Sequence, residues 1–401
     1  MIEKQSLVDS QVIQFKRLLL MSRGLAQYRL KLATALSEAF GGNVQIVVSP
    51  SPIHTGLWEV DWEELKERKG DLLFREISSV SVSDYCKAII RRFNYPVDPP
   101  SLRGKRLSIS EIHPDIIAIH EYSWFMVKLA IYSRIAGVPC IVFTDLGIET
   151  RRDQVGLRTR FYHKLASWLT DGQIANTKEA TLPYGAKHRP VFFLPHAVDT
   201  QEFPQKPPTN EVKEINLLMV GQYIPRKGAD LLIKALSLVM LRTSQKFRLR
   251  LVGNQPDDWV RGVIKEAGLE AVVDVVGIKQ GADLIREYHR ADIFILSSRF
   301  DTYGVVVHEA ASCGLPLLIS RHAGAAKAMI DEGVNGWTID PEETEDFGNR
   351  IQSLIESQDI REKMGIASRK IAERLCIRVQ TKNLAKQLRV LTSKKSRVHK
   401  T

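Results

Sequence analysis

The chain has 401 residues, 44% apolar and 26% charged, an ordinary balance for a soluble globular protein with room for two full cores. No run of 18 apolar residues occurs, so no transmembrane helix is expected, and the opening MIEKQSLVDSQVIQFKR lacks the apolar core of a secretory signal. The net charge of +11 is concentrated at one end: residues 359–401 hold 13 Lys and Arg against 3 Asp and Glu, leaving 44 against 43 elsewhere, which is not the footprint of a nucleic-acid-binding domain.

Short β-branched or leucine-rich runs alternate with longer helical patterns. Strands are predicted at 16–21, 44–48, 116–119, 140–143, 173–175 and 191–194, then in a second series at 215–220, 248–252, 272–276, 293–296 and 316–319. Helical stretches are predicted between them, such as 28–40, 125–135, 229–241 and 259–267, and 342–392 reads as almost wholly helical. The strand runs are continuous rather than alternating, so both faces are buried, as in parallel sheets covered by helices. Two such series predict two doubly wound α/β domains joined by 203–214, FPQKPPTNEVKE, with its three prolines. Four cysteines (Cys86, Cys140, Cys313 and Cys376) lie far apart without CxxC spacing, which suits a reduced, cytoplasmic protein.

In open α/β sheets ligands gather at the carboxyl ends of strands. The first such turn, SRGLAQYR at 22–29, has Gly24 as its single glycine. The GxGxxG fingerprint is therefore absent, which argues against a nicotinamide enzyme. The first turn of the second series, VGQYIPRKGAD at 220–230, sets Gly221 after the strand and Arg226 and Lys227 before a helix opened by Gly228. Cations beside helix N-terminal amides suit a pyrophosphate; a merely solvated surface pair is the alternative.

Residues 298–316, SRFDTYGVVVHEAASCGLP, place Glu309 among Val305, Val306, Val307, Ala310 and Ala311, which cover most of a helical circumference. A carboxylate without partners is costly to bury. Glu309 therefore reaches solvent, pairs with a cation such as Arg299 or Arg321, or accepts hydrogen bonds from a polar ligand. Asp301 precedes the same helix, where an N-cap or turn role is common. His120 follows the apolar run 116–119 at a strand's carboxyl end. No DxD pair closes a strand (Glu59 and Asp61 in WEVDW come nearest), so no bound metal is expected.

The RKG turn, SSRFDTYGVVVHEAASCGLPLLIS and HAGAAKAMIDEGVNGW together resemble the retaining GT-B glycosyltransferases, the large family-4-like group of glycogen-synthase-like and mannosyltransferase-like enzymes. The resemblance is strong over 215–341 and weaker through HPDIIAIHEYS, AGVPCIVFTD and LPHAVDTQEF. Asp301 stands where that group has the first of two glutamates, Gly324-Ala325 where it has a double glycine, Ala328 where it has a glutamate, and His196 where it has an asparagine. These departures fall where a donor sugar would be read.

The resemblance implies a GT-B fold: two Rossmann-like domains facing a cleft, with a C-terminal helix returning to the first. The domains would be an acceptor-binding 1–205, a nucleotide-sugar-binding 206–375, and a helix and basic tail at 376–401. It also implies a metal-independent, cofactor-free, retaining hexosyltransferase. The donor would be a nucleoside-diphosphate sugar and the acceptor a hydroxyl of a polysaccharide, lipid-linked substrate or glycolipid. Arg226, Lys227 and the turn at Gly304 and Val305 would face the diphosphate and Glu309 the ribose. Asp301, with the backbone of Gly324 and Ala325, would face the sugar, and His120 the anomeric carbon. Gly24, Gly221, Thr302 and Tyr303 complete the donor set; Tyr28, Arg29, Asp145 and His196 are set toward the acceptor. No second carboxylate is placed for a double displacement, so departure and attack on one face are implied.

Two rivals are a non-hydrolysing nucleotide-sugar epimerase and a non-catalytic nucleotide-sugar-binding protein. At the basic end, Arg378, Lys382, Lys386 and Arg389 form one helical stripe and Leu384, Leu388 and Leu391 another. Peripheral attachment to an anionic inner-membrane surface is the sharper expectation there, and a solvated helix face the plainer one.

Overall fold

The computed structural model describes residues 17–22, 43–48, 73–76, 114, 116–120, 124–144, 170–177, 189–207, 214–254 and 257–398, with single helical positions at 32, 35, 36, 38, 39, 161, 164, 165, 168 and 169. The chain forms two compact units: Met1–Leu194 with Arg378–Thr401, and Pro195–Ile377.

The described residues of the first unit include seven strands: β1 (Arg17–Ser22), β2 (Asn43–Val48), β3 (Leu73–Glu76), β4 (Ile116–His120), β5 (Cys140–Thr144), β6 (Gly172–Ala175) and β7 (Val191–Phe193). Their order is β3-β2-β1-β4-β5-β6-β7, parallel throughout. The order reverses between β1 and β4, the switch point of a doubly wound sheet. Helix α1 (Trp124–Ala136) crosses from β4 to β5 and packs Val127, Leu129, Ala130 and Tyr132 on Ile117, Ile119, Cys140 and Val142. It ends at Gly137, whose φ of 70° suits only a residue without Cβ, and Ser133 Oγ donates to Val138 O at 2.7 Å.

The second unit carries β8 (Ile215–Val220), β9 (Phe247–Val252), β10 (Val273–Gly277), β11 (Ile293–Leu296), β12 (Leu317–Ser320) and β13 (Gly336–Ile339), parallel in the order β10-β9-β8-β11-β12-β13. Helices α2 (Ala229–Met240), α3 (Asp258–Glu266), α4 (Gly281–Arg290), α5 (Val306–Ser312), α6 (Gly324–Met329), α7 (Thr344–Glu356) and α8 (Gln358–Arg374) cover it. Successive strand residues enter opposite cores. Leu217, Ile293, Ile295 and Leu318 join one cluster, whereas Leu218, Phe294, Leu296 and Leu317 join the other. Truncating any of these fully buried side chains to alanine removes about 2–5 kcal/mol of stability.

Helix α9 (Ile377–Val398) belongs, from Arg378 on, to the first unit, where Arg378 Nη1 donates to Glu38 Oε2 at 3.3 Å. Leu384, Ala385 and Leu388 are buried, while Lys382 and Lys386 are exposed. The side chains of Arg389 and Leu391 lie outside the described set. No helix among the described residues is long and apolar enough to cross a membrane.

Among the described residues, several observed elements differ from expectation. β3 and β13, four residues each, were not predicted, nor were α4, GADLIREYHR, with few apolar positions, and α6, only six residues long. The proline-rich segment read as a linker begins instead as part of the second unit. Phe203 is buried edge-on against Tyr288 at 6.0 Å, and Lys206 Nζ lies 2.6 Å from Asp292 Oδ1. Chain crossing occurs earlier, between Leu194 and Pro195.

Candidate functional site

The site grows from the turn after β8. Pro225–Lys227 form one 3₁₀ turn, followed by Gly228 at φ 71°. A Cβ on Gly228 would sit 1.9 Å from Ser297 O, so only glycine fits; Ser297 Oγ donates to Gly228 O at 2.8 Å. The turn is thereby seated on the carboxyl end of β11. Arg299 fastens it further. Its amide donates to Arg226 O at 3.0 Å, and its guanidinium donates to Pro225 O at 2.7 Å and as a fork to Asp230 at 2.8 and 2.6 Å.

On this fixed turn, Lys227 Nζ lies 2.5 Å from Asp301 Oδ2, with side chains 15% and 10% exposed. Asp301 Oδ1 accepts from Tyr303 N at 3.3 Å, an Asx-type turn. The aspartate backbone is bonded in both directions: Asp301 N donates to His322 O at 3.1 Å and Gly324 N to Asp301 O at 3.2 Å. Ala325 N donates to Tyr303 O at 2.7 Å. A Cβ on Gly324 would lie 2.4 Å from Thr302 O, so this approach also requires glycine. Arg226 is exposed and donates to Phe300 O at 3.0 Å.

The carboxylate Glu309 lies on α5, whose Val307, His308, Ala310, Ala311 and Ser312 are buried while Glu309 is half-buried. Neither cation suggested by the sequence pairs with it. Arg299 is engaged by Asp230 and Glu342, and Arg321 by Asp340. Instead Tyr288 OH, from α4, donates to Glu309 Oε2 at 2.7 Å. Complete burial, with Glu309 adding to it, pushes the Tyr288 phenol well above its usual range, so it remains a donor at every physiological pH. Burial likewise pushes Cys313 up to about 12 and holds His308 down to about 4.

The structure thus brings together Lys227, Asp301, Gly304 and Gly324, with Gly221 and Arg226 on the adjoining turn and Glu309 farther along α5. Two expected roles change. The amides of Gly324 and Ala325 already donate to the carbonyls of Asp301 and Tyr303, so they fasten the loop rather than point at a sugar. Tyr303 is wholly buried edge-on to His196 at 5.0 Å, and its hydroxyl finds no hydrogen-bond partner among the described residues. Thr302 is exposed and Val305 half-buried. Gly24, Tyr28, Arg29 and Asp145 lie outside the described residues; His120 is placed by its backbone at the carboxyl end of β4. Sequence reasoning missed Tyr288 and the Ser297 and Arg299 anchors, for no local pattern links Tyr288 to a carboxylate 21 residues away.

Comparison with known proteins bears on the same region. Residues 199–371 match the family model for Glycosyl transferases group 1. The chain is similar to mannosylfructose-phosphate synthase of Agrobacterium fabrum, 26% identical over 221 residues, covering 50% of this chain and 48% of that protein. It is also similar to D-inositol 3-phosphate glycosyltransferase of Thermobifida fusca, 27% identical over 219 residues and 50% of each chain. The chain spans about half the length of these curated relatives. Among solved structures, Anabaena Alr3699/HepE in complex with UDP superposes with a TM-score of 0.69 at 19% identity, covering 94% of this chain and 100% of that one. The fold is GT-B, as expected.

Proposed function

We propose, for a chain whose residues 199–371 form a glycosyl transferases group 1 domain, that it moves a hexose from a nucleoside-diphosphate sugar to an acceptor hydroxyl with retention of anomeric configuration. The observation that carries this reading is the fixed set of Lys227, Asp301 and Glu309 around the turns after β8 and β11.

As the glycosidic bond breaks, charge gathers on the departing diphosphate. Lys227, with Arg226 beside it, brings positive charge there and so lowers the barrier without a metal. Glu309 accepts from the two ribose hydroxyls, with Tyr288 holding one of its oxygens in place. Asp301 accepts from sugar hydroxyls, and the role assigned to His120 is at the anomeric carbon. We also assign Gly24 to the donor and Tyr28, Arg29, Asp145 and His196 to the acceptor. The acceptor oxygen attacks the face the diphosphate leaves, and a departing phosphate oxygen takes its proton. The UDP bound to Anabaena HepE supports a nucleoside diphosphate as the ligand. A polysaccharide, lipid-linked substrate or glycolipid is the acceptor class we favour.

The test is to incubate pure protein with UDP-, GDP- and ADP-hexoses, with and without membranes and with and without EDTA. Free nucleoside diphosphate is measured, and the anomeric configuration of the product is read by NMR. Acceptor-dependent release that survives EDTA, with a retained anomer, is expected. Interconversion of the donor sugar alone would make the protein an epimerase, and binding without turnover a binding protein.

A further inference from the structure

The diphosphate cation and the sugar carboxylate of this site are each other's partner. Lys227 Nζ and Asp301 Oδ2 are 2.5 Å apart, and neither side chain is more than 15% exposed. A site built only to attract a diphosphate would leave its lysine uncommitted. Here the positive charge is neutralised until something displaces the carboxylate, and an unneutralised carboxylate beside a diphosphate repels it.

The two partners differ in freedom. Asp301 is held through its backbone by His322 O and Gly324 N, and through Oδ1 by the Tyr303 amide at 3.3 Å. The turn under Lys227 is equally fixed by Gly228 and Arg299, but lysine ends in a four-carbon stem with rotatable bonds. Exchange therefore happens by the lysine swinging to phosphate while the carboxylate stays behind. An intact nucleotide sugar brings hydroxyls that donate to the abandoned carboxylate. A nucleoside diphosphate has only its ribose hydroxyls, which go to Glu309, and so leaves Asp301 a largely buried charge with one long amide bond, a costly state.

We propose that the Lys227–Asp301 pair is a charge lock that favours the intact nucleotide sugar over the nucleoside diphosphate left after transfer, so that the product is expelled by the group that read the sugar. The proposal rests on Lys227 as diphosphate ligand and Asp301 as sugar ligand, and goes beyond both by making their pairing the discriminating element.

Calorimetric titration of the full chain with UDP, GDP and ADP, and with the glucose and mannose conjugates of each, tests it on wild type, Asp301→Asn, Asp301→Glu and Lys227→Ala. Asp301→Asn is expected to bind the nucleoside diphosphate about fivefold tighter than wild type and the nucleotide sugar more weakly, two shifts of opposite sign. Asp301→Glu keeps the wild-type order, and Lys227→Ala weakens both ligands. If Asp301→Asn binds the nucleoside diphosphate no tighter while Lys227→Ala still weakens it, the lock is overturned and the reading of the site stands. If Lys227→Ala changes neither affinity, the reading itself fails. Asp301→Ser, which keeps a short acceptor for the Tyr303 amide, takes the place of Asp301→Asn should that variant not fold.

Discussion

At the residue scale, charge and burial assign work to single side chains. Lys227→Ala should lower turnover by about 10²-fold, the usual effect of removing a charge from a leaving group, in a variant that still folds but melts lower because Asp301 loses its ion-pair partner. Wild-type turnover in the folded variant would remove Lys227 from the chemistry. Glu309→Gln should raise the donor KM and leave the acceptor KM in place, since a charge-assisted bond to ribose is worth about 1.5–3 kcal/mol. Tyr288→Phe should shift the donor KM in the same direction by less, because only the hydrogen bond orienting Oε2 is lost. An unaltered donor KM in both would return Glu309 to a structural role. His308 makes a different prediction. Burial lowers its pKa from 6.5 to about 4, so the unfolded chain takes up the proton first and stability falls as pH drops from 6.5 toward 4, by up to about 3 kcal/mol. Denaturant midpoints at pH 7 and pH 5 should converge in His308→Gln; an unchanged gap would place the pH dependence elsewhere. Lys227 and Glu309 were legible in the sequence because each breaks a local pattern, a charged pair before a glycine and a carboxylate inside an apolar helix, whereas Asp301, an ordinary turn residue by its position, was singled out by the family resemblance. Tyr288 was not legible, because an aromatic in a short amphipathic helix looks the same whether or not its hydroxyl is used.

At the element scale, legibility followed length and burial. The runs at β8 and β11 matched their predicted bounds residue for residue because two-sided burial leaves continuous apolar stretches. β13, GWTI, escaped because only Gly336 and Ile339 of its four residues are buried, and glycine carries no side-chain signal. α9 shows what a stripe argument achieves. Leu384 and Leu388 are buried, and Lys382 and Lys386 are exposed, as the spacing of three and four demanded. Arg378, which the stripe turned outward, also meets Glu38, so part of the basic face has a partner within the protein. The remaining lysines should draw the protein to anionic vesicles and not to neutral ones, and the attraction should weaken as salt rises, since exposed charges are screened within about 8 Å at physiological ionic strength. Flotation of wild type and of a Lys382→Gln/Lys386→Gln variant measures this. Equal recovery on both vesicle types would leave α9 a solvated helix.

At the scale of the whole molecule, two doubly wound sheets were legible from the repeated alternation of strand and helix, but the crossing point was not. Prolines drew the expected linker to 203–214, whereas the burial of Phe203 ties that stretch to the second unit. The second unit, Pro195–Ile377, is one continuous piece of chain with cores on both faces of its sheet. Expressed alone it should melt cooperatively and bind a nucleoside diphosphate with an affinity within about tenfold of the full chain, while transferring no sugar. A fragment that folds yet binds no nucleoside diphosphate would move the ligand away from this unit's turns.

The assignment of α9 to the first unit gives the two units different histories during synthesis. Once Ile377 has left the ribosome, the second unit has all of its chain. The first unit has had its seven strands for far longer but still lacks the helix that buries Leu384 and Leu388. The part made first is therefore finished last, and a nascent chain halted before α9 would present a completed second unit beside a first unit still waiting for its cover.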